Sequence, residues 1–159
     1  MHDLPRVLVV EGKSGPALAA FRADVAKLGA NAKFHLRVEA PLHSVIVLDR
    51  ILKDASVCSR IAAFSWEYTE AADVSQIAKF LAKSCPNIVS LSLLFAQVSA
   101  MDFASTLLPS LRNIQHVCVA GHAEGDAQKF FAALSHSSVR SFAVGDNPSE
   151  HMHAMLYRF

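Results

Sequence analysis

Apolar residues recur along this chain in one local pattern, aliphatic-x-x-aliphatic-x-aliphatic. It stands at Ile61/Phe64/Trp66, Ile88/Leu91/Leu93, Ile114/Val117/Val119 and Val139/Phe142/Val144. The last members fall at 66, 93, 119 and 144, in steps of 27, 26 and 25 residues. A looser version precedes them: Leu4/Val7/Val9, then Phe34/Leu36 with Asn31 in the first position. The step from Val9 to Leu36 is again 27. A period of this length marks a stacked architecture, because one unit alone cannot bury its apolar face. Six units therefore run over nearly the whole chain.

Alternate residues of each short run point to one side, as in a strand. Strands are expected near residues 4–10, 33–38, 61–67, 88–94, 114–120 and 139–145, within one repeat domain spanning 1–159. Helical spacing follows each strand. Leu18, Phe21, Val25 and Leu28 share a face, as do Val45, Leu48, Leu52 and Ala55. The next units offer Val74, Ile77, Phe80 and Leu81, then Phe103, Leu107, Leu108 and Leu111, then Ala127, Phe130, Phe131 and Leu134. The sixth reaches only Met152, Met155 and Leu156. Cys58, Cys85, Leu111 and His136 each stand three residues before the first aliphatic of a strand. That is the turn from helix into strand, where a small or apolar side chain tucks beneath the next coil.

With "CPNIVSLSL" and "LPSLRNIQHVCV", the chain resembles a leucine-rich repeat protein of the ribonuclease-inhibitor-like or cysteine-containing kind. The resemblance is close over about residues 57–159 and rests only on period and pattern over 4–56. It implies an α/β solenoid, with parallel strands on the concave face and helices on the convex face. The family often places Asn or Cys three residues after the last strand aliphatic. Here that position holds Gly12, Glu39, Thr69, Ala96, His122 and Asn147, so only the last conforms.

A second reading of strand–helix alternation is a doubly wound α/β domain. "VLVVEGKSG" resembles the first strand of Toprim domains, which implies Glu11 as a magnesium-associated carboxylate, with Asp49 of "VIVLDRI" as its partner. Asp49 is followed by Arg50 and Ile51, so the second carboxylate of the family's Asp-x-Asp pair is missing, and hard cations need clustered oxygens. Gly12-Lys13-Ser14 also resembles the end of a phosphate loop, but Val7 stands where the loop's first glycine belongs. His151 and His153 are spaced wrongly for one helix face, and His116 and His122 have no Cys or Asp at ligand spacing. The histidines therefore read as surface or loop residues. No cofactor, metal or small-molecule substrate is expected, and no enzyme chemistry is legible.

Composition sharpens the picture only in part. Of 159 residues, 52% are hydrophobic and 18% charged, which suits a packed core and leaves little charge for the surface. A net charge of +1 gives no reason to expect nucleic acid. No segment is apolar over the roughly 18 residues of a membrane span. The N-terminal apolar run is too short for a secretory signal, and three cysteines make no disulfide framework, so an intracellular, non-secreted protein is expected.

Between Ile88 and Ala123 only Asp102 and Arg112 are charged, although a solvated helix back should be more polar. The first strand begins close to Met1 and the chain stops at Leu156-Tyr-Arg-Phe159, while solenoids need polar caps. These features lead to the expectation of a non-enzymatic protein-binding or assembly subunit, its bare ends covered by other protein subunits. The same ends would belong to a fragment of a longer repeat protein. Strand residues facing away from the helices are expected to line an accessible face: Leu8, His35, Ser65, Ser92, Cys118 and Ala143, then Val10, Arg37, Glu67, Leu94, Ala120 and Gly145. The expected contacts are Arg37, Glu67, Tyr68 and Leu94 there, with Tyr157 and Phe159 at the open end.

Overall fold

The computed structural model describes residues 6–10, 15–39, 53–69, 79, 81–122 and 125–145. Six parallel strands form one sheet: β1 (Arg6–Val10), β2 (Phe34–Val38), β3 (Ile61–Thr69), β4 (Ser90–Ser99), β5 (His116–His122) and β6 (Ser141–Gly145). Their spatial order is their sequence order, β1-β2-β3-β4-β5-β6. Helices among the described residues include α1 (Gly15–Lys27), α2 (Ala55–Cys58), α3 (Ala100–Leu107) and α4 (Ala127–Ser135), and residues 81–84 are also helical. The α/β class and the parallel pairing expected from the alternation are both present.

Helix starts follow local chemistry. Asp54 caps α2, accepting from Ser56 N at 2.9 Å, and Asp126 caps α4, accepting from Lys129 N at 2.9 Å. Asp102 in the first turn of α3 reaches the next unit instead, where its Oδ1 accepts from Asp126 N at 3.1 Å. After α3 a short 3-10 turn (Leu108–Ser110) carries Pro109, which lacks the N–H that a longer helix would need.

In the last four units register pairs the strand residues that the spacing aligns. Phe64, Leu91, Val117 and Phe142 pair in one row across β3 to β6, and Trp66, Leu93, Val119 and Val144 in another. The first two units differ from expectation. Leu36 pairs with Phe64 and Val38 with Trp66, while Leu8 and Val10 pair with Leu36 and Val38. Leu8 and Val10 are therefore core residues, and Val7 and Val9, expected inside, are 50% and 38% exposed. A one-residue change of phase turns a strand over. The correct row members stand at 10, 38, 66, 93, 119 and 144, in steps of 28, 28, 27, 26 and 25.

One apolar cluster joins these strand residues to the helices. It includes Leu18, Phe21 and Val25 of α1, Cys58 of α2, Ala104 and Leu107 of α3, and Phe130 of α4. Trp66, Phe34 and Phe64 are its largest fully buried side chains. Burying one side chain of the Leu or Phe class contributes about 1.5–3 kcal/mol. Cys58, Cys85 and Leu111 are buried at the helix-to-strand turn, as the recurring slot requires. The thiols of Cys58 and Cys85 lie in hydrogen-bonding contact, and that bond together with burial pushes the Cys85 thiol up. His136, the slot's fourth member, is exposed beside the last strand, and Phe131 of α4 points outward at 58% exposure. The expected core positions Val45, Leu48, Leu52, Val74, Ile77, Phe80, Met152, Met155 and Leu156 lie outside the described residues.

A second periodic feature ties unit to unit. Just before β3, β4, β5 and β6, one side chain donates to a main-chain carbonyl of the preceding unit. Arg60 Nε reaches Ala32 O, Asn87 Nδ2 reaches Ser59 O, Asn113 Nδ2 reaches Pro86 O and Ser138 Oγ reaches Arg112 O, all at 2.9 Å. Donor and acceptor are 28, 28, 27 and 26 residues apart, each within one residue of the corresponding row step. Main-chain carbonyls at these turns have no strand partner, and each is satisfied by the next unit.

Candidate functional site

The sheet face away from the helix cluster is built from small and polar residues. Register places Val7, His35, Ala63, Ser90, His116 and Ser141 in one run of neighbours, with Val9, Arg37, Ser65, Ser92, Cys118 and Ala143 in the next. The middle of this face is closed. His35, Ala63, Ser65, Ser90, Ser92, Cys118 and Ala120 are all buried. This corrects the expectation of an accessible face at His35, Ser65, Ser92, Cys118 and Ala120.

Because the strands carry polar groups into a closed layer, those groups pair with one another. His35 Nε2 and Ser65 Oγ are 2.8 Å apart, and His116 Nδ1 and Ser141 Oγ 2.7 Å. Both are strand residues: His35 is buried where an accessible face was expected, and His116 is half-buried rather than the surface or loop residue expected. Burial, and then the Arg37 guanidinium, hold His35 down to a pKa of about 4, so it is neutral at pH 7. Arg37 is half-exposed and its Nε lies 2.8 Å from Glu39 Oε1. Burial pushes the Cys118 thiol up to about 11 against the opposing contact with the Ser92 hydroxyl. Ser92 Oγ is buried without another polar partner.

A neutral imidazole in contact with a hydroxyl is the beginning of a nucleophile–base pair, and such pairs act when a third group orients the base. Here the charged neighbour that acts on His35 is the cation Arg37, which supplies no acceptor, and Ser65 is closed to solvent. The chemistry shown is that of a satisfied buried hydrogen bond between β2 and β3. Among the described residues no group of three or more His, Cys, Asp or Glu is placed to hold a metal. A cleft of about 970 Å³ beside α1 and α2 is lined by Arg22, Lys53, Asp54 and Arg60 among others. Its carboxylate is committed to capping α2, and the Arg60 guanidinium to Ala32 O and Gly29 O.

The expected contact residues separate. Arg37 lies on β2 beside Ser65. Glu67 and Tyr68 lie in β3, and Leu94 in β4 pairs with Ala120, but their side chains are outside the described set. Tyr157, Phe159, Glu11, Asp49 and the segment Gly12-Lys13-Ser14 fall outside the described residues altogether.

Apolar surface concentrates at the two ends of the sheet. Val7 and Val9 lie on the edge strand β1, while Phe142 on the edge strand β6 is 49% exposed. Its row partners Phe64, Leu91 and Val117 are at 1%. Phe131 joins it through Phe130, whose ring centroid is 5.5 Å from each. Sequence alone placed Phe131 and Phe142 in the core, because they hold core positions of the repeat; they open outward where the row ends. No helix among the described residues is long and apolar enough to cross a membrane. Comparison of the chain with protein-family models, curated proteins and solved structures finds no match.

Proposed function

We propose that the chain is a leucine-rich-repeat-like solenoid that works without catalysis as a protein-binding or assembly subunit inside the cell. The observation that carries this is the aromatic end: Phe131 and Phe142 are open at the β6 edge, whereas residues in the same row of interior units are sealed. Contiguous exposed apolar surface at a sheet edge is what a protein partner covers. Aromatic anchors supply most of the affinity in such contacts. Support for the solenoid comes from the sequential strand order, the Arg60/Asn87/Asn113/Ser138 ladder and the recurring Cys58/Cys85/Leu111 slot. Arg37, Glu67, Tyr68 and Leu94, with Tyr157 and Phe159, complete the proposed contact set. Partners are other protein subunits rather than nucleic acid or a small molecule.

One observation favours a second reading. The sheet is all parallel, and Glu11 directly follows the carboxyl end of β1, where open α/β sheets place ligands. Ligand sites of that kind belong to a switch in strand order, and the order of the described strands has none. Under this reading Glu11 and Asp49 would serve a magnesium-dependent nucleotide or nucleic-acid enzyme, and Glu11→Gln would abolish magnesium-dependent nucleotide binding.

The test is the hydrodynamic mass of the chain recovered from its native source, with co-purifying proteins identified, for the natural sequence and for Phe131→Asp. The expected result is a stable complex that the substitution dissolves while circular dichroism stays unchanged. A monomer in both cases would overturn the assembly reading.

A further inference from the structure

The rim where the strands begin carries a groove of about 420 Å³ that crosses several units. Lys33 closes one end and Arg140 the other, and Asn87, Asn113, Gln115 and Ser138 line it between them. Lys33 and Arg140 are exposed, and neither has an ion-pair partner among the described residues. The lining includes no acidic residue. Arg60, which also lies along this rim, is already spent on the Ala32 and Gly29 carbonyls and on the Phe34 ring.

We propose that this groove binds an extended acidic peptide segment of a partner protein, with one carboxylate at each end. The geometry sets the spacing. Lys33 precedes β2 and Arg140 precedes β6, four strand steps of about 4.8 Å apart, so the two sites are about 19 Å apart along the sheet. An extended chain covers that distance in about six residues. The middle of the groove offers amides, which match a peptide main chain. Asn87 and Asn113 each use Nδ2 on the unit before, leaving Oδ1 to accept, while the Gln115 side chain offers both a donor and an acceptor. Carboxylates at the ends and main-chain N–H and C=O groups between them therefore meet complementary groups throughout. A nucleic-acid strand fits less well. Its phosphates recur every few ångströms and its affinity grows with the number neutralised, whereas this groove presents two cations far apart.

The proposal deepens the protein-binding reading by naming a surface and a ligand chemistry. The test is an NMR titration of the ¹⁵N-labelled chain with a blocked heptapeptide, glutamate at both ends and glycine and serine between. Companion titrations use the same peptide with glutamine ends, a peptide whose glutamates are adjacent, and an oligouridylate of similar length. The wide-spaced acidic peptide is expected to shift the side-chain amide signals of Asn87, Asn113 and Gln115. Its affinity should fall at least fivefold in Lys33→Glu/Arg140→Glu, and weaken with added salt, because exposed pairs are screened over about 8 Å at physiological ionic strength. Equal binding of the glutamine-ended peptide, no shifts at these amides, or stronger binding of the oligouridylate would each overturn it. Both substituted side chains are exposed, so the variant's circular dichroism should match the parent's. If the variant still enters the native complex unchanged, this groove is excluded while the assembly reading stands.

Discussion

The ladder of side chains between units makes a prediction that few other folds would share. Consider Asn87→Ala with Asn113→Ala. Each substitution removes one hydrogen bond of 2.9 Å, to Ser59 O and to Pro86 O. Both asparagines are exposed, so water can reach the abandoned carbonyls and no buried orphan is created. The loss is then the net worth of a hydrogen bond, about 0.5–1.5 kcal/mol each and about 1–3 kcal/mol for the pair. Arg112→Ala on the same rim is the control, because only its main-chain carbonyl takes part in the ladder; it should stay within about 0.5 kcal/mol of the parent. Asn113→Asp sharpens the test. It keeps the size but sets a carboxylate oxygen against the Pro86 carbonyl, so at pH 7 it should destabilise more than Asn113→Ala. The difference should narrow as the carboxyl protonates near pH 4. The assay is urea unfolding followed by circular dichroism, with an unchanged m-value. A double variant within about 0.5 kcal/mol of the parent, or a control equally damaged, would refute the idea that these bonds join the units.

Other predictions follow from the same structure. Leu91→Ala, in the centre of the buried row, should cost about 2–5 kcal/mol in urea unfolding. His35 is held neutral down to about pH 4, while the unfolded chain takes up its proton near 6.5, so stability is present above 6.5 and is lost as pH falls towards 4. The loss amounts to about 3 kcal/mol at most, and His35→Asn should lose correspondingly less between pH 7 and pH 4. Cys58, Cys85 and Cys118 are buried, and Cys118 is held as the neutral thiol up to about pH 11. At pH 8 they should react with a thiol reagent only on the timescale of unfolding, and at once in urea; fast native labelling would contradict their placement. The unfolded thiol ionises near 9, so the Cys118 contribution to stability is full below pH 9 and is lost as pH rises towards 11.

Physical reasons separate what was legible in the sequence from what was not. Leu91/Leu93 and the later equivalents Val117/Val119 and Phe142/Val144 are separated by small residues, Ser92, Cys118 and Ala143, so period and phase are both legible, and register agrees. Val7-Leu8-Val9-Val10 is apolar throughout, so period two has no visible phase there, and only register shows that Leu8 and Val10 face the core. Phe34, Leu36 and Val38 alternate cleanly, but three eligible residues for two row positions left the unit displaced by two. The ladder was partly visible, since Asn87 and Asn113 recur directly before Ile88 and Ile114. Arg60 and Ser138 hold the same position with different chemistry, and only geometry shows that all four donate to equivalent carbonyls. The closed polar face left no signal, because Ser65, Ser92 and Cys118 look the same in sequence whether covered or open. Phe131 and Phe142 carried the core pattern faithfully; their exposure depends on the row ending beside them.

The most direct test of equivalent, stacked units is to remove one. Excising residues 88–113 joins Asn87 to Ile114 and reproduces the native Asn113–Ile114 step. If the units are interchangeable coils stabilised by their neighbours, the shortened chain should keep strand and helix signals in circular dichroism. It should also unfold cooperatively in urea, with lower stability and a smaller m-value in keeping with its size. A shortened chain without a cooperative transition would contradict the stacked-unit account, because it would show that the central strand β4 belongs to one indivisible sheet.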